Sequence, residues 1–243
     1  MKAVILAAGI ASRLRPLTNH TPKCLLQVAG KSLLERTIDA VVSNGVSDIV
    51  IVTGYLREML EDFVARTYPE LNVMFIYNKD YASTNNIYSL WLTKEAVKND
   101  SLLLLDSDIL FDSRIIARLL ESGYDSCLAL NSHKLGEEEI KVIASPANKV
   151  MEISKTCAIT DALGESVGIE KMSPAFVNAL FAEMDSMILE QGLSNVFYEL
   201  AFERIIRQGA TLYVVDTTSL FSMELDTVED FEQVQKLLPA NLY

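Results

Sequence analysis

The chain has 243 residues, half of them hydrophobic, and carries a net charge of −12. That is enough for one sizeable α/β domain with a real core, read here as a single domain over 1–243, and too apolar for a disordered chain. The acidic balance argues against general nucleic-acid binding, which needs basic surface, and no apolar run approaches the ~20 residues of a membrane span.

Residues 3–6 are a short apolar run ending in small residues, the pattern of a buried strand feeding a tight turn. No basic segment with a long apolar region stands there, so no signal peptide is expected and the expected place is the cytoplasm. Leu6, Ala7, Ala8, Gly9, Ala11 and Ser12 leave little side chain over the turn, so a ligand can approach the backbone N–H groups, which form an anion nest. Arg13, and Lys23 behind Pro22, add full positive charges, and the chemistry this implies is binding of a triphosphate. Neither a G-x-G-x-x-G dinucleotide fingerprint nor a Walker loop is present. Cys24 reads as a small apolar residue in a buried turn. It, Cys127 and Cys157 have no metal-like spacing, and their odd number argues against a complete disulfide framework.

Residues 32–44 follow as a helix, with Ser32 and Glu35 as its capping box and Gly45 as its stop. A strand over 49–52, a helix over 55–67, a strand over 73–77, a helix over 86–97 and the apolar strand 102–105 come next. Continuous apolar strands alternating with amphipathic helices indicate a mostly parallel sheet covered on both faces. The second half reads as a hairpin, 141–145 with 149–155, then a strand over 166–172. Helices over 174–191 and 195–207, a strand over 212–216 and a helix over 227–238 complete it. Trp91 reads as core, and the glutamates at 137–139 as a solvated turn. The expected fold class is α/β: a Rossmann-like, mostly parallel sheet with helices on both faces and a small inserted lobe.

Leu6-Ala-Ala-Gly9, Ser12-Arg13-Leu14, Pro16-Leu-Thr18 and Pro22-Lys23 together resemble the signature of nucleotidyltransferases that join a nucleoside triphosphate to a phosphorylated small molecule. The family's second glycine is Ala11 here, which costs about 1 kcal/mol if that position needs positive φ. The resemblance implies the nucleotidyltransferase fold, with the inserted lobe on the acceptor side. It implies catalytic roles for Lys23 and Arg13, and Mg²⁺ held by Asp108, after the fourth strand, and by Asp226, before the last helix. Asp226 is equally readable as a helix cap. Asp106 either joins the nucleotide site or caps the next turn.

The glutamine-proline-glycine segment common in sugar-nucleotide enzymes is absent, and Thr84-Asn-Asn-Ile-Tyr-Ser-Leu90 instead resembles the branch that makes CDP-choline or a related CMP conjugate. Asn85, Asn86 and Ser89 then join the nucleotide-binding residues, although Asn85 alone is also a natural N-cap. Gly164-Glu165-Ser-Val-Gly168-Ile-Glu170-Lys171 and Phe197-Tyr198-Glu199-Leu200-Ala-Phe202 resemble the acceptor side, with Leu200 where the family has aspartate. Glu170, Tyr198, Glu199 and Glu224 are the candidates for binding the acceptor, Tyr198 and Glu199 by holding a cationic amine, although helix packing alone also explains Tyr198. Lys155, rather than Lys141, better matches the lysine that reaches the acceptor phosphate in related enzymes; both also read as surface lysines. His20 and His133 are given no role.

The expected function is transfer of CMP from CTP to a phosphorylated or phosphonylated amino alcohol, phosphocholine or 2-aminoethylphosphonate, by a monomer or homodimer. A sugar-1-phosphate nucleotidyltransferase and a non-catalytic nucleotide-binding regulator of the same fold stand as alternatives.

Overall fold

The computed structural model describes residues 1–242. In chain order its elements are β1 (Lys2–Ala7), β2 (Gln27–Val28), β3 (Lys31–Ser32), α1 (Leu33–Ser43), β4 (Ile49–Thr53), α2 (Arg57–Thr67), β5 (Val73–Tyr77), α3 (Asn86–Leu92), α4 (Lys94–Val97), β6 (Leu102–Asp106) and β7 (Ile109–Phe111). There follow α5 (Arg114–Glu121), β8 (Cys127–Asn131), β9 (Lys141–Ala144), β10 (Val150–Ser154), β11 (Gly164–Met172), α6 (Pro174–Asp185), α7 (Glu199–Arg207), β12 (Tyr213–Asp216), β13 (Ser222–Glu224) and α8 (Val228–Leu237).

The main sheet runs β10-β9-β11-β6-β1-β4-β5, with β8 and β12 continuing from β11. β1 lies parallel between β4 and β6, β5 is parallel to β4, and β12 is parallel to β8. β11 runs antiparallel to β6, β8 and β9. Alternation along the strands sorts their side chains into two cores. Ile5, Ile51 and Leu105 meet Leu34 and Ile38 of α1, Leu60 of α2 and Ile115 of α5 on one face. Leu6, Val52 and Leu104 meet Ile87 of α3, Leu180 of α6 and Phe202 of α7 on the other. Both faces are therefore covered, which is why these strands read as unbroken apolar runs. A third cluster, with Leu14, Leu110, Leu225 and Phe231 in it, lies under the loops at one end of the sheet.

Several elements differ from expectation. The helix expected over 86–97 is two, α3 and α4, divided at buried Thr93, whose hydroxyl donates to the Leu90 carbonyl (2.7 Å). The helix expected to start at 195 starts at Glu199, because the segment before it is tied to α3: the Asn85 N–H bonds the Ser194 carbonyl (3.0 Å), and the Tyr198 N–H bonds Asn86 Oδ1 (3.0 Å). The helix over 174–191 passes from α6 into a π turn at Ser186–Glu190. Trp91 is half-buried rather than core, stacks on Tyr88 and donates from Nε1 to Asp185 (2.9 Å). Lys141 is no surface lysine: it is 2 % exposed, and its ammonium donates to the carbonyls of Gly136, Glu137 and Glu139 (3.2–3.3 Å). Among the described residues no helix is long and apolar enough to cross a membrane.

Candidate active site

The C-terminal ends of β1 and β6, the expected position for a ligand in an open parallel sheet, open into a cavity of about 850 Å³. The β1 end is built by close backbone approach. The Ala8 carbonyl accepts the Tyr55 N–H (3.1 Å), and a Cβ at Gly54 would stand 2.4 Å from that carbonyl oxygen. Ala11 has φ 51°, the left-handed conformation its position demanded, and its carbonyl accepts the Thr18 hydroxyl (2.9 Å). Buried Leu14 then anchors the loop in the third cluster, leaving Arg13 exposed at the rim.

Lys23 opens a short 3₁₀ turn after Pro22, held by buried Cys24. Burial pushes the Cys24 thiol up to about 12, which removes it as a nucleophile. The Lys23 ammonium lies 3.0 Å from Asp108 Oδ2 and 2.5 Å from Asp226 Oδ1, and Arg13 also pairs with Asp226. Burial opposes the Lys23 charge, but Asp108 and then Asp226 hold its pKa above the ordinary value. Burial likewise opposes ionisation of Asp226, yet Lys23 and Arg13 hold it below the usual carboxylate range.

The β7–β13 ladder sets Glu224 opposite Ile109, next to Asp108, and the Leu225 N–H bonds the Asp108 carbonyl (3.0 Å). Asp226 does not cap α8. Thr227 does, in a reciprocal capping box with Asp230, and the Asp226 side chain is left to the cations. Carboxylate oxygens of Asp108, Glu224 and Asp226 lie within 4.8 Å of one another. Desolvation, then Asp108 and Asp226, push Glu224 up to about 8. Three converging carboxylates with this much mutual repulsion suit a hard divalent cation. Glu224, expected on the acceptor side, stands with the metal-type carboxylates instead.

Asn85, Asn86 and Ser89 line the cavity from the start of α3. Asn85 is also the N-cap, accepting the Asn86 N–H (2.8 Å). Ser89 is held by buried Asn78, whose amide donates to its hydroxyl (3.1 Å). Ser12 is exposed and does not line the cavity.

Beyond Asp106 lies the carboxylate-rich end. The Tyr198 hydroxyl donates to Asp106 Oδ2 (3.1 Å), and burial, then the charges of Asp108, Glu199 and Glu170, raise Asp106 well above the usual range. Glu199 lines the cavity; burial pushes it up to about 7. Tyr198 and Glu170 do not line it. Both are 0 % exposed and sit beneath the wall, so the expectation that they touch an acceptor is corrected: Tyr198 ties α7 to Asp106, and burial, then the Glu199 charge, holds the Glu170 carboxyl well above the usual range. Lys155 is present, with its ammonium 4.8 Å over the Phe197 ring and 3.3 Å from Glu138.

His133, left without a role by sequence, lies on the wall 2.9 Å from Glu165. Burial opposes its protonation, but Glu165 holds its pKa above the ordinary value. Tyr81 and Phe197 were likewise unassigned wall residues. No local motif marks His133 or Tyr81, whereas Phe197 opens the acceptor-side segment, and only the fold brings the three together.

Fold and site together define a nucleotidyltransferase. The chain belongs to the MobA-like NTP transferase domain family, whose model matches residues 3–204. A choline-phosphate cytidylyltransferase of Streptococcus pneumoniae is 31 % identical over 242 residues, 98 % of each chain. A 2-aminoethylphosphonate cytidylyltransferase of Lancefieldella rimae is 26 % identical over 229 residues, covering 94 % of this chain and 89 % of that one. The solved structure of the CTP:phosphocholine cytidylyltransferase from Streptococcus pneumoniae superposes with a TM-score of 0.80 at 26 % identity, over 98 % of this chain and 99 % of that one.

Proposed function

We propose that this enzyme transfers CMP from CTP to a small phosphorylated or phosphonylated amino alcohol and releases pyrophosphate. The observation that carries the reading is the polarity of one cavity. Lys23 and Arg13 stand with Asp108, Glu224 and Asp226 at one end, and Glu199, backed by Glu170, stands at the other. A triphosphate and a cation-bearing acceptor fit those two ends, whereas a neutral sugar offers the second only O–H donors and no positive charge. The two cytidylyltransferase relatives support the same reading.

In the proposed reaction an acceptor phosphate or phosphonate oxygen forms a bond to the α-phosphorus of CTP. The bond from that phosphorus to the bridging oxygen breaks, and pyrophosphate departs with the electron pair. The nucleophile is already anionic near neutral pH, so no general base is required. Arg13 and Lys23 hold phosphate oxygens and neutralise charge on the leaving group. Lys23, on a flexible stem, exchanges Asp108 and Asp226 for the nucleotide. Bound Mg²⁺, held by Asp108 and Asp226 with Glu224 beside them, would supply further charge neutralisation and alignment. Asn85, Asn86 and Ser89 face the nucleoside, and Lys155 faces the acceptor's anionic group.

The test is pyrophosphate release with Mg²⁺, crossing CTP, UTP, GTP, ATP and dTTP against phosphocholine, phosphoethanolamine, 2-aminoethylphosphonate and glucose-1-phosphate. Release with CTP and an amino-alcohol acceptor is expected. Preference for glucose-1-phosphate moves the enzyme to the sugar branch. Nucleotide binding without turnover on any acceptor supports a regulatory protein.

A further inference from the structure

Among the described residues, three buried side-chain polar atoms have no hydrogen-bond partner, and two of them belong to this site: Oε2 of Glu199 and Oε2 of Glu170. Once ionised, as beside a bound cation, such carboxylate oxygens are acceptors only, so each then needs an N–H, an O–H or a metal ion. The surrounding groups are otherwise engaged. Lys155, whose field reaches Glu199, is bonded to Glu138 and lies over Phe197. The Ser166 hydroxyl donates to Oε1 of Glu170, and the Tyr198 hydroxyl donates to Asp106. The site is therefore short of hydrogen-bond donors, not only of positive charge.

A quaternary ammonium brings charge and no donor, and proteins recognise it with aromatic faces. Here the aromatic walls of the cavity are Tyr81 and Phe197, with the imidazole of His133. The Phe197 face is occupied by Lys155, Tyr81 is packed edge-on to Tyr55, and His133 is paired with Glu165. Among the described residues Tyr81 and Phe197 make no ring contact with each other, so no aromatic cage is assembled for three methyl groups.

We infer that the acceptor's cationic group is a primary ammonium seated on Glu199 with Glu170 behind it, and that Glu199 selects against quaternary amines. This rests on the cytidylyltransferase reading above. The shared chemistry is an N–H-bearing ammonium joined by a short spacer to a phosphorus oxyanion, whether phosphate ester or phosphonate.

The test is a methylation series assayed for pyrophosphate release with CTP and Mg²⁺: phosphoethanolamine, its N-methyl and N,N-dimethyl forms, and phosphocholine, with 2-aminoethylphosphonate as the phosphonate arm. The expected kcat/KM for the better primary-amine acceptor exceeds that for phosphocholine by roughly 10- to 100-fold, the worth of one hydrogen bond to a charged group. Glu199→Gln narrows that ratio by raising the KM of the primary amines. Should Glu199→Gln fail to fold, the wild-type series decides alone. Phosphocholine turned over as well as or better than every primary amine overturns this inference and leaves the cytidylyltransferase standing. Turnover of glucose-1-phosphate with none of the amines overturns both.

Discussion

Replacing Lys23 by alanine tests the charge architecture of the site. Its ammonium, 11 % exposed, bridges Asp108 and Asp226, whose side chains are 29 % and 24 % exposed. Pairs this close to solvent are worth at most about 1 kcal/mol each. The metal-free variant should therefore lose about 1–2 kcal/mol, or about 2–8 °C in Tm for a chain of this size. Millimolar Mg²⁺ should recover much of that loss, because the variant leaves three carboxylates facing one another without the cation that bridged two of them. Turnover should not recover. The proposed task of Lys23 is to neutralise charge that develops on the departing pyrophosphate, and removing one preorganised group of that kind costs about 10²- to 10³-fold. The assay is continuous pyrophosphate release at saturating Mg²⁺, paired with thermal melts with and without the ion. A folded Lys23→Ala protein with kcat/KM within about threefold of wild type would refute the assignment.

Glu199 supplies a pH prediction. Burial holds its carboxyl up to about 7 against an ordinary 4.5, so between those values the native state keeps a proton that the unfolded chain releases. Its contribution to stability is present below pH 4.5 and is lost as pH rises through 7, a change of about 3 kcal/mol. Urea titrations of the ligand-free protein at pH 5 and pH 8 should show that loss, and Glu199→Gln should show less of it. Gly54→Ala forces the Ala8 carbonyl away from a Cβ at 2.4 Å; a cost of about 1–3 kcal/mol is expected, with a raised KM for CTP, read by melting and by kinetics. Ala11→Gly removes a left-handed alanine at φ 51° and should stabilise by about 1 kcal/mol without loss of turnover, measured in the same two assays.

The cationic end of the cavity was legible because the residues that line it are close in sequence. A strand, a turn of small residues and two cations occupy the first 23 positions, and the sequence order is the spatial order. The parallel strands were legible for a related reason: both of their faces are buried, so β1, β4 and β6 leave an apolar signature that survives without alternation. What escaped was either short or shared between distant segments. β7 and β13 are three residues each and exist through their pairing with one another, yet they bring Glu224 beside Asp108. α5 and β8, to which no element was assigned, span eight and five residues and take their stability from the sheet they cover and extend. Glu170 and Tyr198 were placed in the correct neighbourhood and on the wrong side of its wall. A motif states which segments meet but not which side chains remain accessible once they have packed. His133 and Lys141 belong to a stretch whose composition carries no signal, and their tasks became visible only through Glu165 and three backbone carbonyls.

β11 ties the two ends of the cavity together. Its final four residues are laddered to β6, the strand that ends in Asp106, while Gly164 and Glu165 at its start are laddered to β9 in the inserted lobe. Between them the chain turns at Gly168, φ 73°, so tightly that a Cβ there would stand 2.8 Å from Asp106 Oδ2. One covalent strand is thus both the rail of the nucleotide wall and the frame of the acceptor wall. The lobe and β6 are joined through one strand that bends at Gly168. If the proposed acceptor lies along this wall, a change in its length falls first on the side chains of β11 and α7 that reach the cavity, Glu165 and Glu199 among them.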